Sequence, residues 1–411
     1  MKSKKVFYGW YVVAACFVML CCSVGIAWNC LSQFVKPICD DLGYSRSQVA
    51  LVQTILYGVN LCMSLLAGKV FKVFRLSSLL KVGTFILPVG WVMMSMGNSL
   101  LWFYLASAVS TLGIFCIGMM PASIIINNWF HAKVGTVMGL TFMGSGFGGM
   151  LFNSICGVLL TNFGWRTTFI ILAGVILVLV LPCTFFVIRV YPNEMGLMPY
   201  GEKPAADSAA KAAPVTGKTF GKTVKTFKFW AVASCLVLYG IPSNMLTQTV
   251  SPHLTDIGYS LQFAANMAAV FMGCLAAGKV LLGMIFDKAG VRTGAMLVYA
   301  CAICSLTGLY FAGNAPMIAL GAVGAGLACS FGTVGLPLIT RDFFGTRDYT
   351  AIYGVISASN SLGGMLSPIF SNGIFEAAGS YNPAYLIGMG MVAAVAVIMF
   401  VSLSKKVSAE N

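Results

Sequence analysis

GIAWNCLSQFVKPICDDLGYS at residues 25–45 and GIPSNMLTQTVSPHLTDIGYS at residues 240–260 decide how this chain folds. Eleven of the 21 positions are identical without a gap, at an offset of 215. The same offset pairs Gly68 with Gly283, Gly139 with Gly354, and GGML at 148–151 with GGML at 363–366. A chain of 411 residues that repeats itself at about half its length reads as two copies of one unit.

Composition says where the copies reside. Hydrophobic residues make up 59% and charged residues 9%, against about 45–50% and about 25% in soluble domains. So few charges cannot cover a water-facing surface. Twelve charge-poor runs are each long enough to cross a bilayer: roughly 7–34, 47–70, 77–97, 100–128, 134–162, 167–188, 229–251, 262–286, 293–312, 315–340, 349–375 and 381–404. The first run is too long for a signal peptide and is read as a retained helix. The one long connection, rich in Ala, Lys and Pro, reads as a flexible linker. The expected organisation is an N-terminal six-helix bundle at 1–190, a linker at 191–228 and a C-terminal six-helix bundle at 229–411. The fold class is all-α polytopic membrane protein.

The net charge of +14 would suit a nucleic-acid partner, but placing the charges removes that reading. With both termini in the cytoplasm, 21 Lys and Arg fall inside and three outside: Lys36, Arg46 and Arg166. This asymmetry is the positive-inside signature of a plasma (cytoplasmic) membrane protein. Lys69 and Lys81, near the cytoplasmic ends of their runs, are counted inside; Lys279 alone cannot be assigned to a loop. All eleven carboxylates lie in loops or at helix ends. Fourteen Cys and two His show neither metal-ligand nor redox spacing, so free thiols and neither metal nor cofactor are expected.

Both copies begin at odd-numbered runs of the same orientation, so they are parallel repeats about an axis along the membrane normal. Secondary transporters are built this way, with the substrate site near the midplane. The loop signature G-x-x-x-D-x-x-G-x-R is complete at Gly283, Asp287, Gly290 and Arg292. In the first half Gly68 remains, while Lys72 replaces the acid and Arg75 the second Gly. With this signature the chain resembles the major facilitator superfamily over its whole length. FYGW at 7–10, NNWFHAKVGTVMG at 127–139, FGWR at 163–166 and NEMGLMPYG at 193–201 resemble its oxalate/formate antiporter and monocarboxylate transporter branch. The absence of an Arg from the run at 100–128 separates it from the superfamily's drug/proton antiporters.

Lys279 lies eight residues before Asp287, about 12 Å along a helix. A Lys at such depth costs about 2.5–3.5 kcal/mol on insertion scales. It either snorkels to the interface or faces a cavity as counter-ion to an anionic substrate. The resemblance implies the second, because the branch carries a substrate-binding cation at this place. A second cation of the oxalate/formate antiporter corresponds here to Asn360, which suits one carboxylate rather than two. Aromatic pocket residues of that antiporter correspond to Met119, Ser145, Cys329 and Ser357, so the pocket should be wider and oxalate is not expected. Asn29 with Gln33, and their repeat partners Asn244 with Gln248, are spaced for one helix face. They serve either as interhelical hydrogen bonds or as substrate contacts. Trp28 and Tyr57 are further pocket candidates, with Asn60, Tyr239 and Tyr353 behind them.

Proton-coupled members of the branch place an Asp one turn before the helix-8 cation, where this chain has Leu275. His253 is the group at the membrane edge that titrates near neutrality; it is either a proton-coupling residue or an interfacial cap. Asp287 and Arg292 are expected to form a conformational latch, with Asp287 near the positive N-terminal end of helix 5. The resulting expectation is a monomeric alternating-access carrier of a small organic anion, a monocarboxylate, in the lipid bilayer. It would run by anion exchange or proton symport. Export of a larger amphipathic anion or drug is the alternative. A membrane enzyme is the remote one, since the runs offer no base or nucleophile constellation.

Overall fold

The computed structural model describes residues 7–201, 217 and 219–403. The tail lysines Lys2, Lys4, Lys5, Lys405 and Lys406 and linker residues 202–216 and 218 lie outside the described residues. Twelve spans follow in order: α1 (Gly9–Leu42), α2 (Arg46–Val73), α3 (Leu76–Ser95), α4 (Leu100–Trp129), α5 and α6 (134–163 and 165–187), α7 (Phe227–Asp256), α8 and α9 (261–289 and 291–310), α10 (315–344), α11 (Tyr349–Ala378) and α12 (Asn382–Leu403). Among the described residues there is no strand, only an isolated bridge between Phe130 and Tyr200.

Among the described residues, nine stretches are long and apolar enough to cross a membrane. Two of them reverse direction without a loop, and in both a glycine makes the turn. Gly164 stands at φ 73° and ψ 171° between α5 and α6, and Gly290 at φ 80° and ψ 166° between α8 and α9. A side chain would be strained at either place. α11, richer in Ser, Gly and Asn, supplies the twelfth span.

By internal contacts the chain divides into two units, residues 1–63 with 70–208 and residues 64–69 with 209–411. The repeat found in sequence is a repeated helix crossing. In the first unit a Cβ added to Gly25 of α1 would stand 2.7 Å from the Cα of Gly148 in α5. In the second, a Cβ on Gly363 of α11 would stand 2.8 Å from the Cα of Gly240 in α7. Backbones approach this closely only where side chains are absent.

The copies differ in how the first helix passes its crossing. α7 is one 30-residue helix despite Pro242 and Pro252. α1 widens to a π-helical turn at Cys21–Ile26, leaves helical form at 27–30, and resumes as a 3-10 turn at Leu31–Phe34. Asn29 falls in that break. The shared helix face expected for Asn29 and Gln33 is therefore not a regular helical face.

Three segments that resemble the same transporter branch meet in one aromatic knot of the first unit. The Phe7 ring lies 5.8 Å from Trp129, 5.9 Å from Phe130 and 5.7 Å from Tyr200. Backbone bonds tie the strands of the knot together: Tyr200 N–H donates to the Trp129 carbonyl at 2.8 Å, and His131 N–H to the Tyr200 carbonyl at 3.0 Å. The indole of Trp129 donates to the Arg189 carbonyl at 2.7 Å, and the Tyr8 hydroxyl to that of Val187 at 2.9 Å. The stretch expected to be a flexible linker is thus held at its start. Its end is held too, where Phe220 N–H donates to an Asp348 carboxylate oxygen at 2.7 Å within the second unit. Composition missed these anchors because they depend on partners far away in sequence.

Candidate substrate site

The second unit places Lys279 on α8, 3% exposed. Two glycines draw α8 and α10 together beside it. A Cβ on Gly278 would stand 2.8 Å from the Gly326 carbonyl oxygen, and one on Gly326 would stand 2.5 Å from the Cys274 backbone. The Lys279 ammonium lies within electrostatic reach of the Cys329 thiol. That thiol donates to the Ser243 carbonyl of α7 at 3.2 Å. One turn earlier on α7, Tyr239 donates its hydroxyl to the Ala328 carbonyl at 2.8 Å. Its ring packs 5.4 Å from Tyr299 and 5.3 Å from Phe331. The cation is therefore set beside Cys329, where α7, α8 and α10 meet.

Beyond Cys329, α10 widens into a π-helical turn at Phe331–Gly335. Such turns are frequent at functional sites, because they re-aim the residues around them. The Asn360 amide of α11 faces this turn, 3.6 Å from where a Gly332 Cβ would be. Lys279, Cys329 and Ser243 thus form one series of contacts, and Gly332 with Asn360 a second one further along α10, both within the second unit. Ser243 was not a candidate from sequence. Cys329 had stood out only as a replaced aromatic. No spacing rule links either to Lys279, since the link is an interhelical contact.

The amides divide by copy. Asn29 donates to the Ser145 carbonyl of α5 at 3.2 Å. Gln33 donates to the Asn153 carbonyl at 3.1 Å and to its side-chain oxygen at 2.6 Å. Both fasten α1 to α5. Asn244 instead donates to the Gly240 carbonyl of its own helix at 2.8 Å, and Gln248 is exposed. Trp28 and Tyr57 meet edge to face at 4.9 Å. They form a half-buried aromatic pair between α1 and α2.

The signature residues occupy the far end of α8. Gly290 makes the turn, Gly283 is buried and Asp287 is exposed. The Arg292 guanidinium lies 4.3 Å over the Phe400 ring of α12, while Asp287 is within electrostatic reach of Arg341 on α10. The two charges, five residues apart in sequence, thus engage different partners across the Gly290 turn. His253 stands at the opposite end of the unit, 2% exposed, with Nε2 2.9 Å from the Leu309 carbonyl oxygen. Its ring meets Tyr385 at 5.0 Å and Tyr381 at 6.2 Å. It clamps α7 to α9 and α12, and through Leu309 it reaches one of the last four carbonyls of α9. Burial pushes its pKa below the ordinary value, with the Leu309 carbonyl and Asp256 opposing.

The sequence matches the model of the Major Facilitator Superfamily over residues 15–247 and 232–411. It is 22% identical to monocarboxylate transporter 12 of Mus musculus over 428 residues, covering 97% of this chain and 86% of that one. It is 23% identical to human monocarboxylate transporter 11 over 403 residues, covering 94% and 81%. The fold is similar to that of FucP, a superfamily transporter crystallised in the outward conformation. That likeness has a TM-score of 0.69 at 14% identity and covers 95% of this chain and 97% of that one. The twelve spans, the repeated glycine crossing and the loop signature have the same explanation: the chain belongs to the Major Facilitator Superfamily of membrane transporters.

Proposed function

We propose that this transporter moves a small organic anion, a monocarboxylate, across the plasma (cytoplasmic) membrane by alternating access. Both termini face the cytoplasm, and the working unit is a monomer. The reading is carried by one observation, the burial of Lys279 within a membrane-spanning helix. A cation held there at a cost of about 2.5–3.5 kcal/mol is accounted for when an anion is its partner for part of the cycle. A Lys offers a point charge rather than a fork, so it attracts a carboxylate without fixing its plane. Ser243 and Cys329 beside Lys279, and Asn360 further along α10, are the polar groups assigned to contact the substrate. The names of the relatives support the same substrate class.

Asn29 and Gln33, already committed to α5, serve the gate around α1 more than the substrate. Asn244, bonded within its own helix, and the exposed Gln248 are the amides assigned to contact it. Asp287, through Arg341, and Arg292, through Phe400, stabilise one state of the cycle as the latch. Reconstitution in liposomes with labelled monocarboxylates, dicarboxylates and amines tests the proposal. Uptake is measured with internal carboxylate, with an inward proton gradient, and with neither. Stimulation by internal carboxylate identifies exchange. Stimulation by the gradient identifies proton symport, and its loss in His253→Gln assigns the coupling residue. Uptake of amines alone overturns the anion reading.

A further inference from the structure

At the end of the second unit where α7 stops lies a cavity of about 310 Å³, walled by His253, Tyr259, Tyr310 and Asn382. It lies at the other end of the unit from the α8 signature, and of its walls the transport reading uses only His253, as the candidate proton-coupling residue. Its chemistry is one-sided. The Leu309 carbonyl only accepts hydrogen bonds, so the His253 Nε2 at 2.9 Å must carry the hydrogen. In the neutral ring that leaves Nδ1 as an acceptor, and it makes no hydrogen bond among the described residues. Asn382 adds a second acceptor: its Oδ1 is enclosed without a donor. Asn382 itself is part of the cavity wall, and its final side-chain torsion is soft enough for the amide to turn when a donor arrives. A buried acceptor left without a donor is unfavourable.

Charge points the same way. The Asp256 carboxylate lies within electrostatic reach of His253, of Tyr381 just before α12 and of Tyr385 on α12. The chain at this end, residues 252–260, 310–314 and 375–383, contains Asp256 and Glu376 and neither Lys nor Arg. Tyr259 and Tyr310 present aromatic rings, which attract cations through their faces. Acceptors, rings and negative charge are present together, and no residue in these segments supplies a competing ammonium or guanidinium.

We infer that this cavity is a binding site for a small organic cation bearing N–H donors, of which a primary ammonium ion is the simplest. The ammonium hydrogens satisfy His253 Nδ1 and the Asn382 oxygen, while the tyrosine rings flank its carbon chain. The depressed pKa of His253 keeps its ring in the accepting form at neutral pH. The site joins the ends of α7, α9 and α12, so its occupant bridges three helices of one unit. It stands whether or not the transported substrate is an anion.

The test uses the purified full-length protein in detergent and butylammonium chloride as probe, read by saturation-transfer NMR. Butan-1-ol supplies the chain without charge, and tetramethylammonium supplies charge without N–H donors. Butylammonium is expected to bind at least fivefold more tightly than either. Asp256→Asn and Asn382→Leu should each weaken it at least threefold. Acidification that protonates His253 should weaken it as well, since Nδ1 then becomes a donor; Asp256, Tyr381 and Tyr385 are the other titrating groups around that ring. Equal binding of butan-1-ol, or butylammonium binding unchanged in both variants, overturns the inference. Asp256 is exposed, so its substitution leaves the packing intact and carries the test should Asn382→Leu fail to fold.

Discussion

Replacing Lys279 by Met separates a substrate-binding cation from a structural one, because the two roles predict opposite effects on stability and transport. Met keeps the length of the side chain and drops its charge. At about 4 Å an ammonium and a carboxylate attract by about 4 kcal/mol at an effective dielectric of about 20. Desolvation of the incoming anion takes back part of this, which leaves roughly 3 kcal/mol, or about two decades in affinity. Monocarboxylate uptake into liposomes should therefore fall about a hundredfold at low substrate concentration. Thermal unfolding in detergent should be unchanged or shifted upward, since a residue that is 3% exposed no longer buries a charge. Lys279→Arg retains the charge but enlarges a head group set against Cys329, and should keep partial uptake with altered preference among carboxylates. Uptake by Lys279→Met within twofold of the parent refutes the site. A lower unfolding temperature with proportionate loss of uptake refutes it too, because that is how a structural lysine behaves.

Four further outcomes follow from the packing. Gly148→Val and Gly363→Val force a side chain into the two repeated crossings, so each should lower stability by about 1–3 kcal/mol, seen as a lower melting temperature of detergent-solubilised protein. His253→Phe strands the Leu309 carbonyl, and should cost about 1–3 kcal/mol in chemical denaturation. With the pKa of His253 depressed in the fold, the unfolded chain binds the proton more readily. Its contribution is then complete above the unfolded value of about 6.5 and is lost as pH falls below it; a melting curve against pH should show this loss in the parent and not in His253→Phe. Tyr200→Ala removes a ring from the knot with Phe7, Trp129 and Phe130, and should speed proteolysis between 189 and 201 severalfold.

Much of this fold was legible because lipid and repetition are strong constraints. Hydropathy located all twelve spans, and the offset of 215 picked out Gly25 with Gly240 and Gly148 with Gly363, which form the two crossings. What escaped was local and non-repeating. Identity between the copies predicted the same helix for Asn29 and Asn244, yet α1 breaks where Asn29 reaches Ser145, while Asn244 stays within an intact α7. Lys279 was legible as the cation in a span, but its neighbours Ser243 and Cys329 come from other helices, and no one-dimensional pattern announces them. The linker anchors escaped for the same reason: aromatic segments 120 to 190 residues apart in sequence become partners only once the bundle has formed.

The Gly164 turn has a consequence for how the protein is made. It carries Arg166 toward the outer face under the proposed orientation, against the charge bias that guides insertion. In the folded chain that guanidinium is taken up by the carbonyls of Ser95 and Gly97, both at 3.0 Å, by the Asn98 side chain at 2.8 Å and by Asp41 at 3.9 Å. Every one of these partners precedes Arg166 in the chain, so each has already left the ribosome when Arg166 emerges. The order of synthesis thus prepares a receptor on the far side before the cation that needs it is translocated. A circular permutant that begins between α4 and α5 would reverse that order, asking Arg166 to cross first, with its folded structure unchanged and its route to that structure obstructed.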